Sequence, residues 1–265
     1  MFRVLAMLAA VTPALLSAVI PGESCGWFAY TPAAVDLPGP GPMATVVWDG
    51  AGWAMDLLPV ALALLALWWP RRFPVLGAAA AATALLLSML TLAVPYTTPC
   101  GPARGEWLLA LCPAVVLVAC LLARREQPRR PPHRVTAAAW TAVLIITFVR
   151  DILATLPLSP GEDLGCMAEL KGTWALAQMH LFTAEAVGVW IGVAAVGAVL
   201  TGRRAAPAAG LLLLVPALFE PVAQLASSAS HTCAGAAGLI SLPYLIAAVL
   251  GVAGELVPSL VVRSR

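Results

Sequence analysis

Residues 73–94 read FPVLGAAAAATALLLSMLTLAV, preceded directly by Arg71-Arg72 and followed, after a short connection, by Thr98-Pro99-Cys100-Gly101. No charged side chain interrupts the run. At about 1.5 Å per residue a helix of this length matches the roughly 30 Å hydrocarbon layer of a bilayer. An arginine pair closes one end and a cysteine-bearing turn closes the other, and this pairing of ends recurs along the chain.

Working outward, seven further apolar stretches approach or meet the same length: residues 4–20, 54–69, 107–123, 135–156, 179–200, 206–226 and 239–262. Their length excludes buried strands. With 61% of 265 residues hydrophobic and 11% charged, the chain has too few charges to solvate a globule of this size. The expected fold is therefore an all-α polytopic membrane protein with eight transmembrane helices.

Orientation follows from the basic residues, because Lys and Arg are retained on the cytoplasmic side of short loops. One set of loops carries Arg3, Arg71, Arg72, Arg124, Arg125, Arg129, Arg130, Arg134, Arg203, Arg204, Arg263 and Arg265; the other carries only Arg104 and Lys171. Both termini are expected in the cytoplasm, with the first apolar stretch retained as a span rather than cleaved as a signal peptide. The basic loop around residues 124–134 is too short for a nucleic-acid surface and fits anionic lipid headgroups better. The lipid bilayer is thus the first expected partner, and no nucleic acid is expected.

Cysteines mark the opposite face. Cys25, Cys100, Cys166 and Cys233 all fall in arginine-poor loops, which places them on the oxidising exterior of a plasma membrane, where disulfides persist. Cys112 and Cys120 instead lie inside the fourth span and read as small apolar residues. No C-x-x-C or His/Cys cluster is present, so neither a metal nor a cofactor is expected.

Loop motifs recur in order across the two halves. Pro21-Gly22-Glu23 before Cys25 returns as Pro160-Gly161-Glu162 before Cys166, and Arg71-Arg72 with Pro74 returns as Arg203-Arg204 with Pro207. Thr98-Pro99-Cys100-Gly101 returns more loosely as Thr232-Cys233-Ala234-Gly235. This predicts a tandem repeat: residues 1–126 as one four-helix membrane unit, residues 127–134 as a basic cytoplasmic linker and residues 135–265 as a second unit. Four spans per unit is an even number, so the halves are expected to be parallel. The repeat suggests disulfides Cys25–Cys100 and Cys166–Cys233, with pairing across the halves as the alternative.

The longest outer segment is expected over residues 21–52, where the Pro/Gly run at residues 36–42 excludes a helix interior or central strand. Asp56, just beyond it, reads as a candidate cap for the second span. Trp27, Trp48, Trp53, Trp107 and Trp174 fall near outer span ends and Trp68, Trp69 and Trp140 near inner ones, as interfacial belts require. Pro216 and Pro221 make the seventh span the best candidate for a bent helix. Gly77 with the alanines that follow it, and Gly188-x-x-x-Gly192, mark close helix packing.

Ionisable groups inside spans are costly unless paired or hydrated, and they carry the functional expectation. Counting from the basic ends, Arg150 and Asp151 lie about 22 to 24 Å into the fifth span, Glu220 about 21 Å into the seventh, and Asp56 about 22 Å above Arg71. Glu185 lies about 27 Å above Arg203. Gln224 is one turn beyond Glu220, and His180 is near the same outer boundary. The candidate ligand- or ion-binding residues are thus Arg150, Asp151, His180, Glu185, Glu220 and Gln224, with an ion pair that merely fixes helix register as the plainer reading. Glu255 lies in the inner half, within reach of the interface.

Motifs exclude several chemistries. The chain has no G-x-x-x-x-G-K-[ST] loop, no G-x-S-x-G and no H-E-x-x-H, and its one lysine, Lys171, is in an outer loop. Two four-helix halves with outer cysteines resemble the layout of the haem A synthases. The resemblance ends there: that family carries haem-ligating histidines in its spans, whereas His133 and His231 are in loops and only His180 is near a span. The functional expectation is a transporter or permease-like subunit, served by other membrane subunits or a separate ATPase. An accessory subunit of a larger membrane complex is the alternative, and a membrane-embedded enzyme ranks third.

Overall fold

A computed structural model describes residues 1–19, 42–94, 96–98, 101–103, 107–126, 132–155, 187–202, 205–218 and 241–263. Among them are eight α-helices: α1 (Phe2–Val19), α2 (Pro42–Trp68), α3 (Phe73–Ala93), α4 (Trp107–Leu122), α5 (Arg134–Thr155), α6 (Val187–Thr201), α7 (Ala206–Leu212) and α8 (Leu242–Arg263). A hairpin of β1 (Tyr96–Thr98) and β2 (Gly101–Ala103) joins α3 to α4, and a 3-10 turn over Ala123–Arg125 follows α4. Two helices, Met43–Trp68 and Phe73–Ala93, are long and apolar enough to cross a membrane.

Local sequence sets the helix ends. Pro74 occupies the first turn of α3, where its missing N–H would have no intrahelical partner. The alanine run that follows has the best helix propensity of any residue type. The helix stops at Val94, extended at φ −102° and ψ 104°, because the residue before Pro95 is driven out of the α region. At the end of α6, Gly202 takes φ +69°, a left-handed cap open chiefly to glycine.

Two helices depart from expectation. α2 begins at Pro42, not near residue 54, so part of the segment expected as a non-helical outer connection over residues 21–52 is helical. Pro42 ends the Pro/Gly run by serving as a first helical residue, and α2 then extends through Asp49, Gly50 and Gly52, residues that interrupt an apolar run without breaking a helix. Asp56 therefore sits well inside α2 and on its exposed side, and it does not cap the helix start. α7 is interrupted by a turn at Leu213, whose N–H bonds back to the Gly210 carbonyl at 3.2 Å. Pro216 explains the break: it has no N–H for the Leu212 carbonyl, and its ring crowds that carbonyl.

The chain divides into two compact units, Met1–Arg129 and Arg130–Arg265. In the first, α1 packs on α2 and α4, and α3 packs on α2 and α4, closing a ring. In the second, α5 packs on α6 and α8, and α7 packs on α6 and α8, closing the same ring. Each unit by itself is a four-helix bundle with antiparallel neighbours.

On α3 and α8 side chains are sorted by size in a direction opposite to that of a water-soluble bundle. On α3 the buried positions are Phe73, Pro74, Gly77, Ala78, Ala81, Ala84, Ser88 and Thr91, whereas Val75, Leu76, Leu86, Met89 and Leu90 are exposed. On α8, Tyr244, Ala247, Ala248, Gly251 and Gly254 face inward and Leu242, Ile246, Val249, Leu256 and Val257 outward. Small residues inside let helix backbones approach; large apolar residues outside are costly in water and cost nothing in lipid. The inward hydroxyls of α3 are satisfied within that helix, with Ser88 Oγ donating to the Ala84 carbonyl at 2.8 Å and Thr91 Oγ1 to that of Ser88 at 2.7 Å.

Glycine sets the closest approaches. A Cβ on Gly77 would lie 2.9 Å from Leu62 Cδ2 and 3.0 Å from Cys120 Sγ. In the second unit a Cβ on Gly210 would lie 3.0 Å from the backbone nitrogen of Val252. Gly77 and Gly210 each stand three residues after the proline that opens the third helix of their unit, Pro74 and Pro207. Gly188 and Gly192 pack inside the second unit, against Thr147 and Tyr244 and against Leu144.

Candidate functional site

Among the described residues, each unit has polar contacts between the N-terminal part of its first helix and the C-terminal part of its fourth or just beyond it. In the first unit that end carries Arg3 at the start of α1, Arg71 and Arg72 before α3, and Arg124 and Arg125 after α4. Glu126 closes it: Oε1 accepts from the Met1 ammonium and from the Phe2 N–H at 2.6 Å, which supplies an acceptor to α1 N–H groups that have no intrahelical partner. Burial raises the Glu126 carboxyl. The bonds from Met1, Phe2 and the Arg3 backbone, with the ammonium charge, outweigh that and hold it below the ordinary carboxylate range.

Arg3 was expected only as a marker of the cytoplasmic side, and the structure buries it to 9% exposure. Its guanidinium carbon stands 5.9 Å from the centroid of the Phe73 ring. Its Nε is buried and has no hydrogen-bond partner. Met1 and Glu126 form an ion pair, and the Arg3 charge faces an aromatic ring, with no described carboxylate paired to it.

The corresponding end of the second unit joins α5 to α8. Trp140 Nε1 donates to Glu255 Oε1 at 2.9 Å, and Thr136 Oγ1 donates to the Gly254 carbonyl at 2.9 Å. Trp140 is fully buried and lies over Gly251, where a Cβ would come within 3.1 Å of the indole. Trp140 is thus a core residue and not part of an interfacial belt, because an indole of this size fits where Gly251 leaves room and Glu255 takes its N–H. Trp53, Trp68, Trp69 and Trp107 are exposed, as a belt requires.

The opposite end of the first unit holds the hairpin. Thr98 pairs with Gly101, Thr97 with Pro102 and Tyr96 with Ala103, so the strands flank Pro99 and Cys100, which lie outside the described residues. Trp48 Nε1 donates to the Val94 carbonyl at 2.9 Å and satisfies a group left without an intrahelical partner at the end of α3.

Of the candidate polar band, Arg150 and Asp151 lie on the last turns of α5, and their side chains are outside the described residues. His180, Glu185, Glu220 and Gln224 also lie outside them, as do Cys25, Cys166 and Cys233. Cys112 and Cys120 are buried in α4, Cys120 against Gly77, as small apolar residues would be. Among the described residues no three His, Cys, Asp or Glu side chains gather in a metal-binding group.

Glu126, Arg3 and the Trp140–Glu255 pair escaped the sequence reading because each joins residues far apart in the chain. Comparison with protein-family models, curated proteins and solved structures finds no match to this chain. Two helices long and apolar enough to cross a membrane and the polar contacts at the helix ends are the features that bear on function.

Proposed function

We propose that the chain is a multi-pass plasma-membrane protein of two tandem four-helix units, with its arginine-bearing ends and both termini in the cytoplasm and its cysteine-bearing loops outside, acting as a transporter or permease-like subunit. The observation that carries this reading is the shared ring of helices in the two units, with α3 in the first and α8 in the second turning mostly small residues inward and large apolar ones outward. Tandem bundles of this kind are a common transporter plan, with the solute held by polar groups deep in the membrane. Arg150, Asp151, Glu185 and Glu220, with His180 and Gln224, supply such groups in the second half, and an excess of carboxylates over one arginine suits a proton, a cation or an amine-bearing solute.

The accessory-subunit reading rests on a different observation. The connection between α2 and α3 is only residues 69–72, and so short a loop leaves an assembly partner as the source of any soluble activity. Purification from native membranes in mild detergent separates the two: a copurifying ATPase, or solute uptake by proteoliposomes that is lost in Glu220→Gln, supports transport. A stoichiometric complex with neither supports the accessory role.

A further inference from the structure

We infer that the arginine-bearing end of the first unit is a binding site for the phosphate group of an anionic phospholipid, centred on Arg3. The inference rests on the membrane reading above and goes beyond it by naming a ligand class and the residues that hold it. A guanidinium stays protonated at any accessible pH, so burying it carries a desolvation cost that a counter-charge normally offsets. Arg3 has none among the described residues. Its described contacts are the face of Phe73 and, through its own backbone N–H, Glu126.

Glu126 is not the missing partner. Its Oε1 is taken by Met1 and Phe2, and no ion pair joins it to Arg3. The side chain of Arg3 is therefore held in place by packing on Phe73 while its Nε donor goes unused, an arrangement that costs stability unless an acceptor arrives from outside.

The surroundings select the acceptor's charge and origin. Arg71 and Arg72 precede α3, Arg124 and Arg125 follow α4, and all four are exposed. The turn bearing Arg124 and Arg125 touches α3, whose first residue is the Phe73 beneath Arg3. Phosphate oxygens accept the planar N–H fork of arginine better than any neutral headgroup does. Trp68 and Trp69, exposed where α2 ends, set this end at headgroup depth, where anionic lipids of the cytoplasmic leaflet concentrate.

The test is thermal unfolding of the purified full chain in a neutral detergent, with added phosphatidylglycerol, phosphatidylcholine or inorganic phosphate. The expected result is a rise in Tm with phosphatidylglycerol alone, at least halved in Arg3→Gln and reduced in the exposed double variant Arg71→Gln/Arg72→Gln. The double variant keeps the test decisive where Arg3→Gln does not fold. Equal stabilisation by both lipids, or an undiminished response in the variants, overturns the site. An equal response to inorganic phosphate overturns its assignment to a lipid. Resistance of the chain to alkaline extraction from membranes, measured in parallel, distinguishes failure of this site from failure of the membrane reading.

Discussion

Trp140 on α5 and Glu255 on α8 are joined by a 2.9 Å hydrogen bond at the same end of their bundle where, in the other unit, Glu126 beyond α4 holds the start of α1. In each case a glutamate in the second half of the fourth helix, or just beyond it, binds within the first two turns of the first helix. The ring of four helices is thereby closed by a polar contact in both units.

Replacing Trp140 by Phe removes the donor and leaves the Glu255 carboxylate without it, while Glu255→Gln keeps an acceptor. Trp140→Phe is expected to lower stability by about 1–2 kcal/mol, and Glu255→Gln by less. A double-mutant cycle pairing Trp140→Phe with Glu255→Leu, which removes the acceptor, should return a coupling of about 0.5–1.5 kcal/mol in detergent-mediated unfolding, the range typical of hydrogen bonds between membrane helices. Additivity would remove the bond from the account.

Gly77 and Gly210 occupy matching places but oppose different atoms. A methyl at Gly77 meets the side-chain ends of Leu62 and Cys120, which can shift; a methyl at Gly210 meets the Val252 backbone nitrogen and, at 3.3 Å, the Gly251 carbonyl carbon, which cannot shift without moving α8. Gly210→Ala should therefore cost about 1–3 kcal/mol and Gly77→Ala distinctly less. Equal losses in unfolding measurements would contradict the close approach of α7 and α8.

Glu126 predicts an acid limb in stability. Its carboxyl is held below the ordinary range despite partial burial, through its bonds to Met1 and Phe2. A group with a depressed folded-state pKa contributes stability that is complete above the unfolded value and is lost as pH falls through the folded one. Wild type should thus lose stability as pH drops below about 4.3, and Glu126→Gln should be less stable at neutral pH with a flatter acid limb. Unfolding followed from pH 7 downward reads both.

The outer cysteines carry a prediction independent of these contacts. If each unit is stapled separately, non-reducing peptide mapping should recover Cys25 linked to Cys100 and Cys166 linked to Cys233. Cross-linked peptides joining the two halves would replace that pairing.

The helices were legible where composition changes sharply. The expected 73–94 compares with α3 at Phe73–Ala93, 107–123 with α4 at Trp107–Leu122, and 135–156 with α5 at Arg134–Thr155, because arginines and prolines punctuate these runs. α2 was misjudged at its start: apolar length registers the part that would lie in lipid, whereas helix formation tolerates Asp49 and the glycines around it. Trp140 was misassigned because position along a span cannot reveal that Gly251 stands opposite it. Arg3 could be counted as a charge, but only the packed structure sets it on Phe73 with no carboxylate among the described residues paired to it.

The central claim is two membrane bundles with their arginine-bearing ends in the cytoplasm. Single cysteines introduced at Arg72, Thr97, Arg134 and Ser228, probed in intact cells with a membrane-impermeant maleimide and compared with the unmodified chain, test it directly. Labelling at Thr97→Cys and Ser228→Cys from outside, with Arg72→Cys and Arg134→Cys reached only after permeabilisation, is the predicted result. Labelling of Arg72→Cys or Arg134→Cys in intact cells would contradict it.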